Sequence, residues 1–177
     1  MNSQDILHSK NYFEIFELSE SFDIEINELN ARFRFLQKAV HPDQHAMGTS
    51  KEQLLAQQLS AKINDGYQTL KTPLLRYRYL LTLKGLEFKE HTHKDTGFLM
   101  LQMQLREDLS EIDVNDSKVD DKIDAFNEQL NNMINHQTGS FKSAYLTQDY
   151  NSAYNEVVKL TFFEKLKQDV ERLEDQL

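Results

Sequence analysis

Residues 26–59 read INELNARFRFLQKAVHPDQHAMGTSKEQLLAQQL, and the organisation of the chain follows from that stretch. Ile26, Leu29, Phe33, Leu36 and Val40 recur at alternating steps of three and four, which marks a helix from about Ile26 to Val40 with one apolar stripe. Pro42 fixes its own φ and disfavours helical geometry at His41, so the helix is predicted to stop just before His41. After a Gly/Thr/Ser break, Thr49 with Glu52 three residues on reads as a capping box. It opens a second amphipathic helix carrying Leu55, Leu59, Ile63, Gly66 or Tyr67, and Leu70. His41-Pro42-Asp43 is therefore expected at the tip of an antiparallel helix pair, as loop residues presented by a rigid scaffold.

Working outward, Asn11 can cap a short apolar helix from Tyr12 to Leu18. Thr72-Pro73 breaks and restarts the chain, since proline suits the first turn of a helix. The short helix through Leu74, Leu75, Tyr77, Leu80 and Leu81 is predicted to end at Lys84-Gly85. Residues 86–94 read as a connector. Three helices are expected after it: about Thr96 to Ile112, about Ser117 to Leu146 with an interruption near Gly139, and about Tyr150 to Gln176. The last has a seam of Phe163, Leu166, Val170, Leu173 and Leu177. The expectation is an all-α chain with a first domain over residues 1–85 and a small three-helix bundle over residues 95–177.

Composition narrows the chemistry. The 177 residues include no cysteine, which excludes disulfides, thiolate catalysis and cysteine-based zinc sites. No apolar run approaches a membrane span, and the N-terminus lacks the basic-then-apolar pattern of a signal peptide, so a soluble cytoplasmic chain is expected. Residues 1–85 balance ten basic against ten acidic side chains, whereas residues 86–177 carry ten against nineteen. An acidic half of this kind repels phosphate backbones and argues against a nucleic-acid partner. The six histidines form no metal-ligand signature, and there is no glycine-rich phosphate cradle or serine nucleophile elbow. No catalytic residues, metal or cofactor are expected.

Two surfaces stand out once the apolar stripes are turned inward. On the helix before His41, a turn of about 100° per residue places Arg34 and Lys38 on the outer face with Phe35 near its middle. A solvated face accounts for the two cations and poorly for the phenylalanine. The helix from Thr96 has two apolar sides. Phe98, Leu101, Leu105, Leu109 and Ile112 gather on one, while Leu99, Met100 and Met103 share the other with Glu107 and Glu111. In so small a bundle, an apolar patch rimmed by acids and carrying adaptable methionines reads as a protein-binding site, which Phe162 is expected to extend.

The helix–HPD–helix pattern, the INDGYQTL run over residues 63–70 and Pro73-Leu74-x-Arg76-x-x-Tyr79-Leu80-Leu81 resemble a J-domain. More narrowly, Asp95-Thr96-x-Phe98-Leu99-Met100, then Leu105-Arg106-Glu107, and later Lys159-Leu160-x-Phe162, resemble the HscB-type co-chaperones of iron–sulfur cluster assembly. The resemblance runs from about Tyr12 to Leu177. It implies that His41, Pro42 and Asp43, supported electrostatically by Arg32, Arg34 and Lys38, dock on a DnaK-class chaperone and stimulate its ATPase. It also implies that Leu99, Met100, Met103 and Phe162, with Glu107 and Glu111, bind an iron–sulfur scaffold protein of the IscU type.

Four positions depart from the family pattern: Val40 before the HPD, Gln44 after it, and Leu101 and Gln104 where the family tends to have acids. They bear on the strength and charge character of the two contacts. The eukaryotic relatives carry an N-terminal cysteine metal site and a targeting segment, so the resemblance implies the bacterial, cytoplasmic form. A J-domain co-chaperone serving another client class stays open as an alternative. A catalytic helical protein using His41 and Asp43, or the acids of the bundle, is a third reading.

Overall fold

The computed structural model describes residues 11–40, 49–88 and 95–177. His41, Pro42, Asp43 and Gln44, with most of the expected connector, lie outside the described residues. The chain divides into two compact units, Met1–Gly85 and Leu86–Leu177. Among the described residues every regular element is an α-helix, four in the first unit and three in the second.

In the first unit α1 is Tyr12–Ile15, α2 Ile26–Val40, α3 Ser50–Lys71 and α4 Pro73–Leu83. α1 opens with a capping box in which Asn11 accepts from the Glu14 amide at 2.9 Å and Glu14 accepts from the Asn11 amide at 3.2 Å. It is shorter than its apolar pattern predicts because Glu17 takes a positive φ of 50°, turning the chain out of the helix. α2 keeps the expected bounds. Its buried stripe is Leu29, Leu36 and Val40, while Ile26 in the first turn is 37% exposed and does not join the core. Thr49 and Glu52 cap α3 reciprocally, with Glu52 accepting from the Thr49 amide at 2.7 Å. Pro73 occupies the first turn of α4, which ends where Gly85 takes φ 87°.

α3 is the central element, packing against α1, α2 and α4. Its buried positions are Ala56, Leu59, Ile63, Gly66 and Leu70, so Ala56 rather than Leu55 heads the stripe. Antiparallel pairing with α2 shows in the Tyr67 hydroxyl donating to Asn30 at 2.8 Å, the Gln37 amide donating to Asn64 at 2.7 Å, and the Phe33 and Tyr67 rings stacked at 4.0 Å.

Gly66 is what lets α1 lie so close. A β-carbon there would stand 2.9 Å from Tyr12 Cδ1 and 3.1 Å from Phe16 Cε2, and Phe16 is fully buried. Overpacking of that kind costs about 1–3 kcal/mol, partly offset by the better helix propensity of alanine. Gly66→Ala is therefore expected to destabilise the first unit by about 1–2 kcal/mol in urea unfolding. An unshifted midpoint would mean that the Tyr12 ring yields freely.

Tyr12 and Tyr79 stack at 4.7 Å, and the Tyr79 hydroxyl accepts from the Tyr12 amide at 2.8 Å. Burial pushes both phenols above their ordinary value. A folded pKa raised above the unfolded one leaves stability untouched at neutral pH. Stability then falls as pH rises through the tyrosine range, because the unfolded chain ionises first. Unfolding midpoints of the first unit are expected to drop above about pH 10, and Tyr79→Phe should remove part of that slope.

The second unit comprises α5, Thr96–Ser110, α6, Val119–Leu146, and α7, Tyr150–Glu174. Asp95 caps α5 by accepting from the Phe98 amide at 2.9 Å, and Asp149 caps α7 by accepting from the Ser152 amide at 3.1 Å. The expected break near Gly139 does not occur, and α6 runs through it. The roughly 1 kcal/mol cost of a helical glycine is outweighed by packing on either side, where Leu130 and Phe141 are buried. α6 packs along α7, and α5 rests on α7. Their shared core holds Phe98, Leu105, Ile123, Phe126, Leu130 and the α7 seam from Phe163 to Val170, with Leu173 packed against it. Leu177, expected in that seam, lies beyond the end of α7 and is 55% exposed.

Candidate functional sites: an exposed face on each unit

The first candidate surface lies on α2. Turning Leu29, Leu36 and Val40 into the core leaves Arg34 and Lys38 exposed, with Phe35 between them at 68% exposure. This is the arrangement expected from the helical periodicity. Arg32 differs. Its guanidinium is held by Glu28 at 2.7 Å and Glu17 at 2.8 Å, so part of its donor capacity is engaged within the unit. The hydrogen bond that Arg32 donates to the Glu28 carboxylate also raises the guanidinium pKa. The Glu28 contact spans the four-residue spacing of a helix pair, whereas the Glu17 contact comes from the turn after α1.

The second surface lies on α5. Phe98 and Leu105 are buried on the inner side, and Leu101, Leu109 and Ile112 pack against the same core. Leu99, Met100 and Met103 face out at 52%, 67% and 65% exposure, with Glu107 and Glu111 exposed one to two turns further on. The helix is thus apolar on both sides with only one side covered. A contiguous apolar patch bordered by acids is how a protein-binding surface is built, and methionines let it adapt to a partner's shape.

Phe162 is not part of that exposed surface. It is 8% exposed, sits edge-on to Phe98 at 5.7 Å between ring centres, and lies beneath the Arg106 guanidinium at 5.5 Å. The expectation that it extends the outer patch is corrected: in the free chain it belongs to the core that seats α5. Its place at the margin of the seam, next to Phe163, was the signal for burial. Phe98, Phe162 and Phe163 form a set of edge-to-face contacts, and Lys159 covers the Phe98 ring at 5.9 Å while standing 3.6 Å from Glu156. The orientation of α5, and with it the outward patch, is set by these aromatic contacts.

One residue acts structurally in a way the linear pattern does not assign. Arg76 is 4% exposed within the apolar run of α4. It donates to the carbonyl of Phe22 at 2.9 Å and to the carbonyl of Leu70, joining the segment between α1 and α2 to the end of α3. Burial lowers its pKa, yet an arginine stays charged at neutral pH. An arginine amid leucines and tyrosines was the available hint.

Among the described residues, no group of three or more histidine, aspartate or glutamate side chains is placed to hold a metal ion. Nor is any described helix long and apolar enough to cross a membrane.

A helical J-domain followed by a helical bundle with an uncovered apolar face is the architecture of a J-domain co-chaperone. Residues 94–171 match the family described as HSCB C-terminal oligomerisation domain. Over the whole length, the co-chaperone protein HscB homologs of Shewanella halifaxensis and Vibrio cholerae are 42% and 40% identical, each comparison covering 94% of this chain and 98% of the relative. The structure of chaperone HscB from Vibrio cholerae matches with a TM-score of 0.87 at 40% identity, over 94% of this chain and 99% of that one. Human co-chaperone protein HscB matches with a TM-score of 0.88 at 26% identity, over 96% and 85%. The chain belongs to the HscB family of co-chaperones.

Proposed function

We propose that this protein is a two-ended cytoplasmic adaptor of iron–sulfur protein maturation. Its second unit binds an IscU-type scaffold protein and delivers it to a DnaK-class chaperone, whose ATPase the first unit stimulates. The supporting observation is the outward face of α5, where Leu99, Met100 and Met103 are exposed on a helix already anchored by Phe98 and Leu105. The core accounts for one side of α5 and leaves the other unexplained, and a partner accounts for it. Glu107 and Glu111 supply the charged border that orients a basic partner surface.

At the other end, His41, Pro42 and Asp43 act on the chaperone, with Arg34, Phe35 and Lys38 as the adjoining docking face. Arg32, which also holds Glu28 and Glu17, adds electrostatic support to this face. The chain carries out no chemistry itself. ATP turnover belongs to the chaperone, and the adaptor changes its rate through contacts that differ between the chaperone's states. The cluster is cargo on the scaffold.

The test uses the intact chain. It is expected to co-purify with both a DnaK-class chaperone and a cluster scaffold, and to raise the chaperone's ATPase further when the scaffold is present. Stimulation without scaffold capture would assign the J-domain to another client class. Absence of both would overturn the reading.

A further inference from the structure

α5 and α6 each pack on α7 and make little backbone contact with each other. Between them runs an open groove distinct from the outward patch. Its larger part, about 680 Å³, has Leu101, Met133 and Phe163 as its apolar lining. A second part of about 350 Å³ continues it past Ile112, and Ala125 and Gln129 line both parts. The residues that α6 contributes, from Lys122 to Gln137, recur at three- and four-residue steps, so the groove follows one face of that helix. At about 1.5 Å per residue it is roughly 22 Å long, the length of four helical turns.

We propose that this groove seats a basic amphipathic helical segment of a protein partner, which completes a fourth helix of the bundle. Charge identifies the occupant. Asp108, Glu111 and Glu128 line the groove, and its one lysine, Lys122, is already bound to Asp116 at 2.5 Å. Residues 86–177 as a whole carry nineteen acids against ten bases. A second copy paired groove to groove would bring the same acids together, and an acidic partner would meet like charge at Asp108, Glu111 and Glu128. An apolar stripe fits the floor and lysines or arginines meet the rim, as in other helix-in-groove complexes. The inference stands apart from the adaptor reading. Glu111 borders both surfaces, so the experiment relies on Asp108 and Glu128 instead.

The probe is a fluorescently labelled peptide of about fifteen leucines and lysines with leucine at i, i+4, i+7 and i+11, alongside a scrambled peptide of the same composition. Anisotropy titrations against the intact chain at roughly physiological salt are expected to show binding of the amphipathic peptide, with the scrambled one at least about tenfold weaker. Ala125 is exposed, so Ala125→Trp fills the groove without touching the core and should weaken binding at least about tenfold. Asp108→Lys with Glu128→Lys should weaken it by a similar factor, and Leu99→Ala with Met103→Ala should leave it unchanged. Equal binding by Ala125→Trp overturns the proposal, as does equal binding of the scrambled peptide. Loss confined to the Leu99/Met103 variant would move the peptide to the outer patch and overturn it. Self-association of the intact chain in sedimentation, abolished by Ala125→Trp, would make a second copy the occupant and overturn it too.

Discussion

Replacing Leu99 and Met103 together by alanine is expected to weaken scaffold binding by roughly 30- to several-hundred-fold, with the helical content and unfolding midpoint of the chain preserved. Both side chains are more than half exposed, so truncating them leaves no cavity and the core beneath keeps Phe98 and Leu105. Their cost appears only when a partner covers them. A well-buried apolar contact contributes about 1–2 kcal/mol, and two adjacent ones give the range stated. Asp43→Asn should do the opposite, leaving scaffold affinity intact while abolishing stimulation of the chaperone's ATPase. Calorimetric titration with the scaffold and steady-state ATPase assays, run on both variants, check the pair. If the double variant binds as the parent does, the outward face of α5 is not the scaffold site. If Asp43→Asn still stimulates, the HPD does not carry the chaperone contact.

Arg76→Met is expected to destabilise the first unit by about 2–4 kcal/mol. The guanidinium donates to the buried carbonyl of Leu70 and to the half-buried carbonyl of Phe22, and a methionine removes both hydrogen bonds. The relief of no longer burying a charge offsets part of that loss, which is why the figure stays below the sum of two lost hydrogen bonds to a charged group and a lost anchor. Arg76→Lys should recover little, because one ammonium cannot span two acceptors that a planar fork reaches at once. Urea unfolding gives the magnitude. Amide exchange localises it, with faster exchange expected at the end of α3 and through α4 while the α6 and α7 amides keep their protection. An unchanged midpoint for Arg76→Met would mean that water replaces both hydrogen bonds at no cost.

The α5 and α4 variants probe different levels of the molecule, and the same division separates what was legible in the chain from what was not. The stripe Leu29, Leu36 and Val40, the Thr49–Glu52 capping box, Pro73 at a helix start and Gly85 past a helix end are local signals, and each appears where periodicity and backbone chemistry place it. Such features rest on interactions within one or two turns. The doubled apolar character of α5 is also local, and turning Phe98 and Leu105 inward was enough to send Leu99, Met100 and Met103 outward.

Other features depend on neighbours distant in sequence. Arg32 looks like a surface cation until Glu17, from another segment, meets it. Phe162 looks like a patch residue until Phe98 and Arg106 enclose it. Gly139 looks like a break until the packing of α6 on α7 holds the helix through it. By itself the sequence determined where helices form, the capped starts at Asn11 and Thr49 and the outward face of α5, because those follow from bonds and periodicities the chain carries along its own length; the early end of the first helix and the unbroken course of α6 did not follow from it. Only the tertiary structure decided which charges are already paired, which aromatic rings are covered and where a groove stays open. Those depend on which side chains distant segments bring together, and one-dimensional periodicity does not encode that.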